Sequence, residues 1–351
     1  MRLFFYSEDL TYPFDEGIKK TAKNIIQTLM LNNDVVSCSK YGMNNATLNQ
    51  SVIRTNKFFL NIKLFKLINS HKPKCIIYLP SSSATFPSFF RLKVLRLFYS
   101  NAKIIMIILQ PKYLSLFKLK LISIFKFYPD IALTPSSTVE KQFQNYHINI
   151  KFIPLFTNIN KFSPVNNNIK INRLRERFGI PSEKFIITHI GHINSGRNLE
   201  ALIPLQSEGN QVVIVSSSST PDDSPKDPQL KSKLLNNGIL ILDYYIKDIH
   251  SIYHLSDLYI FPVISEGGCI GLPLTILEAI ACNTLVLTTN YASIKRIFKG
   301  SHKFLIISDH ENFHHEVKKI KISNKNYSID GQSIINKINN KFESRLKNAI
   351  R

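Results

Sequence analysis

Residues 265–283 have the sequence SEGGCIGLPLTILEAIACN. The apolar run at 258–263 precedes this stretch and predicts a buried strand. Pro273 suits a first helical turn, because the N–H groups of that turn lack partners within the helix. The glycines of 267–271 let the backbone approach a ligand, and the helix N-terminus can hold a phosphate. The stretch therefore predicts a strand–loop–helix unit that binds a phosphorylated ligand.

Strands and helices alternate on both sides of this unit, as they do in α/β proteins with parallel sheets. Apolar runs predict strands at 2–6, 74–79, 103–109, 131–134, 185–190, 211–216, 239–242, 258–261 and 285–288. Helical periodicity between them predicts, among others, helices 87–99, 113–127 and 198–206. The 351 residues are enough for two domains with separate cores. We expect domains at 1–155 and 170–325, a Pro- and Asn-containing linker at 156–169, and a C-terminal helix within 326–351.

The composition is that of a globular protein, with 44% hydrophobic and 20% charged residues. The four cysteines are scattered and form no CxxC pair, which argues against a disulfide framework or a zinc site. The N-terminal MRLFFYS predicts a strand rather than a signal peptide. No apolar run approaches the roughly 20 residues that span a bilayer. A cytoplasmic location is therefore expected.

Positive charge is concentrated in the first half of the chain. The net charge is +21, and residues 35–129 contain fifteen Lys and Arg but no Asp or Glu. Such a field attracts nucleic acid, anionic lipid or phosphorylated ligands. No nucleic-acid-binding signature accompanies it, so a nucleic-acid partner is not expected. The alternative is that the excess of lysine reflects only a coding bias and that these side chains form a solvated surface without a partner.

Two predicted helices inside this basic stretch, 87–99 and 113–127, are unusually apolar. They carry Lys93, Arg96, Lys118, Lys120 and Lys126, and in the second helix Ser115, Lys118, Ser123 and Lys126 share one arc. Basic, aromatic, amphipathic helices can lie in an anionic bilayer surface, although core helices with snorkelling lysines look similar. The absence of acidic residues around them favours peripheral contact with the inner face of the cell membrane.

Residues 265–283 resemble the signature of the retaining family-4 glycosyltransferases, which have the GT-B fold and a motif ending GLPxxLEAMACGxPV. Residues 153–164, 174–181 and 246–262 resemble three further segments of that family, in the same order, so the resemblance covers nearly the whole chain. It implies an α/β protein of two facing Rossmann-like domains with a cleft between them. It also implies a hexosyltransferase that moves a sugar from a nucleotide-sugar to a glycan or lipid-linked acceptor, with retention, in cell-surface polysaccharide assembly.

The resemblance assigns donor-binding roles in the second domain. It implies that Glu278 binds the donor ribose, beside Gly271, Leu272, Pro273 and Leu274. Residues 189–200 resemble the family's phosphate loop YVGRLxxxKG, with its glycine at Gly191. His192 and Arg197 stand where that family has the Arg and Lys that clamp the diphosphate. His192 is as readily explained as a hydrogen-bonded structural residue.

Two residues are the candidates for catalysis. A guanidinium at Arg197 can bind phosphate through two parallel bonds and offset charge on the leaving nucleotide. The family's other glutamate, eight positions before Glu278, is replaced here by Ile270. Glu266, in the flexible glycine loop, is the candidate substitute, and a solvated loop residue is the alternative. No cofactor and no obligatory metal are expected, because Arg197 and the helix N-terminus can neutralise the diphosphate.

The acceptor side shows further departures from the family. Residues 12–20 resemble its PPxxGG loop, which approaches donor phosphate and acceptor; Gly17 is the second glycine, implied to bind the donor, and Glu16 replaces the first on the acceptor side. Gln110 stands where the family often has a histidine after a central strand. With His192 and Ile270, these changes leave open a second hypothesis, a catalytically weakened homologue that supports an active partner at the membrane. A third is a GT-B enzyme of another reaction, such as a nucleotide-sugar epimerase.

Overall fold

The computed structural model describes residues 1–54, 60–80, 84–111, 114–165, 167–216, 227–299, 303–323 and 330–351. They divide into two compact α/β units. The first comprises Met1–Leu155, Cys269–Leu272 and Asn340–Arg351, and the second comprises Phe156–Gly268 and Pro273–Asn339. Each unit contains one all-parallel sheet in the described residues. The predicted fold class, with two Rossmann-like units, is confirmed.

The first unit alternates strands and helices along the chain. Its elements are β1 (Arg2–Asp9), α1 (Gly17–Met30), β2 (Asp34–Tyr41), β3 (Gln50–Val52), α2 (Ile62–His71), β4 (Cys75–Leu79), α3 (Phe86–Phe98), β5 (Lys103–Ile107), α4 (Leu116–Ile124), β6 (Ile131–Thr134), α5 (Ser137–Gln144) and β7 (Ile150–Phe152).

The strand order of the first sheet is β3-β2-β1-β4-β5-β6-β7. Every residue of β4 and of β6 is buried, because helices cover a central parallel strand on both faces. The order reverses between β1 and β4. In open α/β sheets, ligands bind outside the carboxyl ends of the strands at such a reversal.

The second unit repeats this pattern. Its elements are α6 (Asn168–Arg177), β8 (Phe185–Ile190), β9 (Asn210–Val215), α7 (Pro228–Asn236), β10 (Leu240–Leu242), α8 (His250–Leu255), β11 (Leu258–Phe261), α9 (Leu274–Ala281), β12 (Val286–Thr288), α10 (Ile294–Ile297), β13 (Leu305–Ile307), α11 (Phe313–Ser323) and α12 (Gly331–Ile350). The last of these runs into the residues grouped with the first unit.

The strand order of the second sheet is β10-β9-β8-β11-β12-β13. Its central strands are in parallel register, with Leu258 opposite Ile187 and Phe185 opposite Asn210. The order reverses between β8 and β11, so the loops that follow these two strands form the expected ligand-binding edge of this unit. They are the phosphate-loop segment and the glycine-rich loop that the sequence singled out.

Sequence periodicity missed four strands, β2, β3, β7 and β13. β2 shows why, because its interior side chains include Ser37 and Ser39 rather than an apolar run. Their polar atoms are satisfied locally: Ser37 Oγ donates to Leu48 O at 2.8 Å, and Ser39 Oγ accepts from Gln50 Nε2 at 2.7 Å. A buried serine with such partners looks like loop sequence when the partners are unknown.

Several predicted helices have different bounds or a different form. Helix 198–206 is a 3₁₀-helix at Leu199–Leu205, with Pro204 inside it. Helix 113–127 is shorter, because α4 covers only Leu116–Ile124; residue 113 lies outside the described residues. Pro273 is the N-cap of α9 and not part of its first turn.

None of the helices in the described ranges is long and apolar enough to cross a bilayer.

Candidate functional site

The turn after β8 is built around Gly191, whose N–H donates to Val215 O at 3.0 Å. A Cβ atom on Gly191 would lie 3.0 Å from His189 Nε2 and 3.6 Å from Arg197 Nη1. Glycine therefore lets the Arg197 guanidinium lie directly against the turn. Arg197 closes a short 3₁₀-helix, Ser195–Arg197, and Asn198 follows in the left-handed conformation with φ of 52°. The structure thus brings the predicted residues Gly191 and Arg197 together.

His189 lies beneath this turn and is fully buried. Its Nδ1 is 3.0 Å from Ile260 O, and because a carbonyl only accepts, Nδ1 carries the hydrogen. Burial lowers the pKa of His189 to about 4; the hydrogen bond to Ile260 opposes this shift and the charge of Arg197 adds to it. The ring is therefore neutral at physiological pH, with its lone pair on Nε2.

Two buried polar atoms meet at this position without a partner. Within the described part of the chain, neither His189 Nε2 nor Arg197 Nε has a hydrogen-bond partner. One is an acceptor and the other a donor, so a bound hydroxyl or water that contacts both could satisfy them. The sequence did not reveal His189 as a candidate site residue. The available signal was a single histidine inside the otherwise apolar strand FIITHI.

The loop after β11 approaches the Gly191–Asn198 segment closely. A Cβ atom on Gly268 would lie 2.7 Å from Gly196 O, closer than the packed backbone permits. Gly267 has φ of 107°, a conformation that side chains other than glycine rarely adopt. The loop after β11 therefore requires glycine at both 267 and 268. Glu266, which precedes these glycines, and His192, on the facing segment, are both half-buried.

The next residues of the loop, Cys269–Leu272, are grouped with the first unit. Gly271 N–H donates to Leu109 O at 2.7 Å, so this N–H is already used. Ile270 is buried, and a Cβ atom on Gly17 would lie 3.0 Å from Ile270 Cδ1. Within the first unit, the glycine of the N-terminal loop therefore packs against the residue that replaces the family's glutamate.

Helix α9 begins after Pro273, with Leu274 as its first residue. Glu278, in its second turn, is fully buried, and its Oε2 accepts a hydrogen bond from Tyr253 Oη at 2.9 Å. Burial, followed by the charge of Glu278, raises the pKa of Tyr253 well above its usual value. The structure places Glu278 inside the second unit rather than at its surface, and the ribose contact stays a prediction.

The residues predicted on the acceptor side lie at the strand ends of the first unit. Glu16 is the N-cap of α1, and Gly17 is the first residue of that helix. Lys19 is buried, with its Nζ 3.4 Å from Asp15 Oδ1 and 4.0 Å from Glu16 Oε1. Gln110 follows β5 and is half-buried. Contact with an acceptor stays a prediction for Glu16 and Gln110.

A buried polar cluster at the carboxyl end of β1 was not predicted. Tyr78 Oη donates to Glu8 Oε1 at 2.7 Å, and Arg91 Nη1 donates to Tyr78 Oη at 2.6 Å and also pairs with Glu8. Arg91 is thus neutralised, although it falls in the acid-free stretch. Sequence alone could not reveal this pairing, because Glu8 and Arg91 are 83 positions apart.

Residues 189–321 match the family described as Glycosyl transferases group 1. The matched segment contains both loops of the β8–β11 edge and the helix α9. It therefore includes all the donor-binding residues predicted in the second domain.

A curated relative covers part of the chain. Alpha-galactosylglucosyldiacylglycerol synthase of Streptococcus pneumoniae is 23% identical over 159 residues, which are 44% of this chain and 41% of that protein. The match thus spans less than half of the relative's length.

Solved structures match over nearly the full length. A glycosyltransferase from Rickettsia africae has a TM-score of 0.76 at 16% identity, covering 99% of this chain and 97% of the other. HepE from Anabaena in complex with UDP has a TM-score of 0.76 at 13% identity, and its complex with UDP-glucose has a TM-score of 0.74 at 14%; each covers 99% of both chains. At these identities the likeness shows the fold, which is GT-B.

Three observations point to the same kind of protein. They are the glycine-lined edge of the second sheet, the family match across that edge and the structural likeness over nearly the whole chain. Residues 189–321 match the model of the group 1 glycosyl transferases, within a chain of GT-B fold.

Proposed function

We propose that this chain is an enzyme that transfers a sugar from a nucleotide-sugar donor to a glycan or lipid-linked acceptor. The observation that carries the proposal is the position of Arg197, whose guanidinium lies against the Gly191 turn at the carboxyl end of β8. This is the edge at which open α/β sheets bind ligands. The solved HepE complexes with UDP and UDP-glucose support a nucleotide-sugar as the donor.

In this proposal Arg197 binds the donor diphosphate. Its guanidinium can donate two parallel hydrogen bonds to phosphate oxygens and stabilise the charge that develops when the nucleotide leaves. The N-terminus of α9 adds a second source of positive potential. The proposal includes no cofactor and no obligatory metal, because these groups supply the charge that a metal would otherwise provide.

The finer features rest on resemblance and on the named relative. Retention at the anomeric carbon and a hexosyl donor follow the family-4 pattern of residues 265–283. A lipid-linked acceptor agrees with the curated relative, which is named as a diacylglycerol glycolipid synthase. Assembly of cell-surface polysaccharide and a peripheral position on the inner face of the cell membrane complete the proposal.

The first experiment is a donor screen by thermal stabilisation, since a ligand that binds the native state raises the melting temperature according to its affinity. Donors that stabilise the protein are then incubated with lipid extracts and glycans, and the transferred sugar is detected by mass. The anomeric configuration of the product, measured by NMR, tests retention. If no nucleotide-sugar among the common hexose donors stabilises the protein, the proposal fails.

One observation favours a second candidate, a catalytically weakened homologue that supports an active partner. Ile270, which packs against Gly17, puts an apolar side chain where the family has a glutamate. Such a protein would bind a donor without transferring or hydrolysing its sugar. A stabilising donor that stays intact with every acceptor and with membranes would favour this candidate. An epimerase would instead convert the donor sugar without an acceptor.

A further inference from the structure

Helix α4 leaves three of its six apolar side chains, Leu116, Phe117 and Ile124, exposed. Only Leu119 and Ile122 of its nine residues are buried. Leu116, Phe117, Ile124 and the C-cap residue Phe125 are between 54% and 72% exposed, and Leu121 is half-buried. Soluble proteins rarely leave so much contiguous apolar area in water unless it contacts a partner.

The neighbouring helix α3 adds Phe90, whose side chain is 39% exposed. Ring contacts join the two helices: Phe90 lies 6.2 Å from Phe127 between centroids, and Phe125 stacks on Phe127 at 5.6 Å. We call the exposed side chains of Phe90, of α4 and of the two residues that follow α4 the apolar–basic surface, comprising Phe90, Leu116, Phe117, Ile124, Phe125, Lys118, Lys120 and Lys126.

The charges of this surface are of one sign. Lys118, Lys120 and Lys126 are exposed, and the chain from 35 to 129 contains no acid to cancel them. Two other basic residues of α3 contribute less, because Arg91 pairs with Glu8 and Arg96 pairs with Asp130. This corrects the sequence-based expectation for Arg96, whose charge is largely offset by its pairing partner.

We propose that the apolar–basic surface docks the protein on an anionic lipid bilayer, with Phe117 and its apolar neighbours inserted at the headgroup level and the lysines against the lipid phosphates. Charge complementarity selects this occupant. A second copy of the chain would bring the same lysines face to face, which costs energy. An anionic bilayer offers both negatively charged groups for the lysines and an apolar layer beneath them for Phe117 and its apolar neighbours.

The inference deepens the membrane location in the proposed function, but its test needs neither donor nor acceptor. The chain contains no tryptophan, so F117W creates a single fluorescent reporter on the surface. We expect blue-shifted emission with phosphatidylglycerol vesicles at low salt, quenching by brominated acyl chains, and reversal at high salt. I322W, at another exposed apolar position in the second unit, is the control and should show none of these changes.

Flotation of double variants on anionic vesicles tests the apolar and the electrostatic contributions to membrane binding separately. L116S/F117S should reduce the bound fraction about tenfold or more, since each inserted large side chain contributes about one order of magnitude in affinity. K118E/K120E should also lose binding, whereas K318E/K337E changes the net charge equally on exposed lysines of the second unit and should bind like the wild type.

Three outcomes would overturn the proposal. They are no flotation of the wild-type protein on anionic vesicles at low salt, equal loss in both lysine pairs, and an F117W spectrum that responds to single-stranded RNA but not to vesicles. All the variants change exposed side chains, so folding is checked by their melting temperatures. Vesicle binding by a protein that transfers no sugar would support this surface while rejecting the proposed enzyme, so the two failures are distinguishable.

Discussion

Tyr253 donates its hydroxyl hydrogen to Glu278 Oε2 across 2.9 Å, and both side chains are fully buried in the second unit. The hydrogen bond joins α8 to α9 and orients the carboxylate that the family resemblance assigns to the donor ribose. A buried carboxylate that accepts this hydrogen bond has a structural role whether or not a donor reaches it. The two roles can be separated by mutation.

Glu278→Ala should weaken nucleotide-sugar binding by about 1–3 kcal/mol, the usual loss for a hydrogen bond to a charged group. Tyr253→Phe breaks the same internal hydrogen bond and is the matched control. It should lower the free energy of unfolding by about 1–3 kcal/mol with a smaller effect on donor binding. Calorimetric titration and denaturant unfolding measure the two quantities. Unchanged donor affinity in a folded Glu278→Ala protein would remove Glu278 from the donor site.

Arg197→Ala should reduce turnover more than Arg197→Lys, because lysine keeps the charge but loses the planar pair of donors. Both variants should keep the wild-type melting temperature within a few degrees, since the Arg197 Nε has no hydrogen-bond partner among the described residues. Arg173→Ala, on the exposed face of α6, serves as the control and should leave turnover unchanged. Wild-type turnover in Arg197→Ala would contradict the assignment.

His189 makes stability depend on pH. Burial lowers its pKa from 6.5 to about 4, so between these values the unfolded chain binds a proton that the folded protein does not. The contribution of His189 to the free energy of unfolding is therefore fully present above pH 6.5 and is lost as the pH falls towards 4. The loss between pH 7 and pH 5 should be roughly 2 kcal/mol from this residue.

His189→Phe keeps an aromatic ring beside Tyr259 and Phe261 but cannot titrate. Chemical denaturation at pH 7 and pH 5 should show a smaller drop in this variant than in the wild type. Because His250 and His254 also have lowered pKa values, the difference between the two proteins is the relevant quantity. Equal drops would show that His189 is not the buried neutral group described above.

Gly268→Ala should separate the two loops at the β8–β11 edge, because its Cβ atom would lie 2.7 Å from Gly196 O. We expect a stability loss of about 1–3 kcal/mol, typical of overpacking, together with weaker donor binding. Gly196→Ala is the matched control on the facing loop, since its Cβ atom would make ordinary contacts at 3.4 Å and 3.7 Å. Equal donor affinities and stabilities in the two variants would mean that this close approach is not needed.

The sequence by itself determined the α/β class, the two-unit organisation and the position of the glycine-rich loop before α9. These features depend on local patterns: apolar runs that must be buried on both faces of a parallel sheet, and glycines where a side chain would block the backbone. The local patterns failed for β2, because its buried serines depend on partners elsewhere in the chain. They also predicted an ordinary helix at 198–206, where the structure has a 3₁₀-helix that contains Pro204.

Only the tertiary structure decided which side chains meet. Arg197 lies against Gly191, His189 is neutral beneath them, Tyr253 holds Glu278, and Arg91 is neutralised by Glu8. The Tyr253–Glu278 and Arg91–Glu8 pairs depend on tertiary packing, which brings together positions 25 and 83 residues apart in the chain. The same holds for α4, whose sequence favoured a membrane-surface helix but also suited a core helix. Its exposure follows from the packing of the first unit, which covers only Leu119 and Ile122.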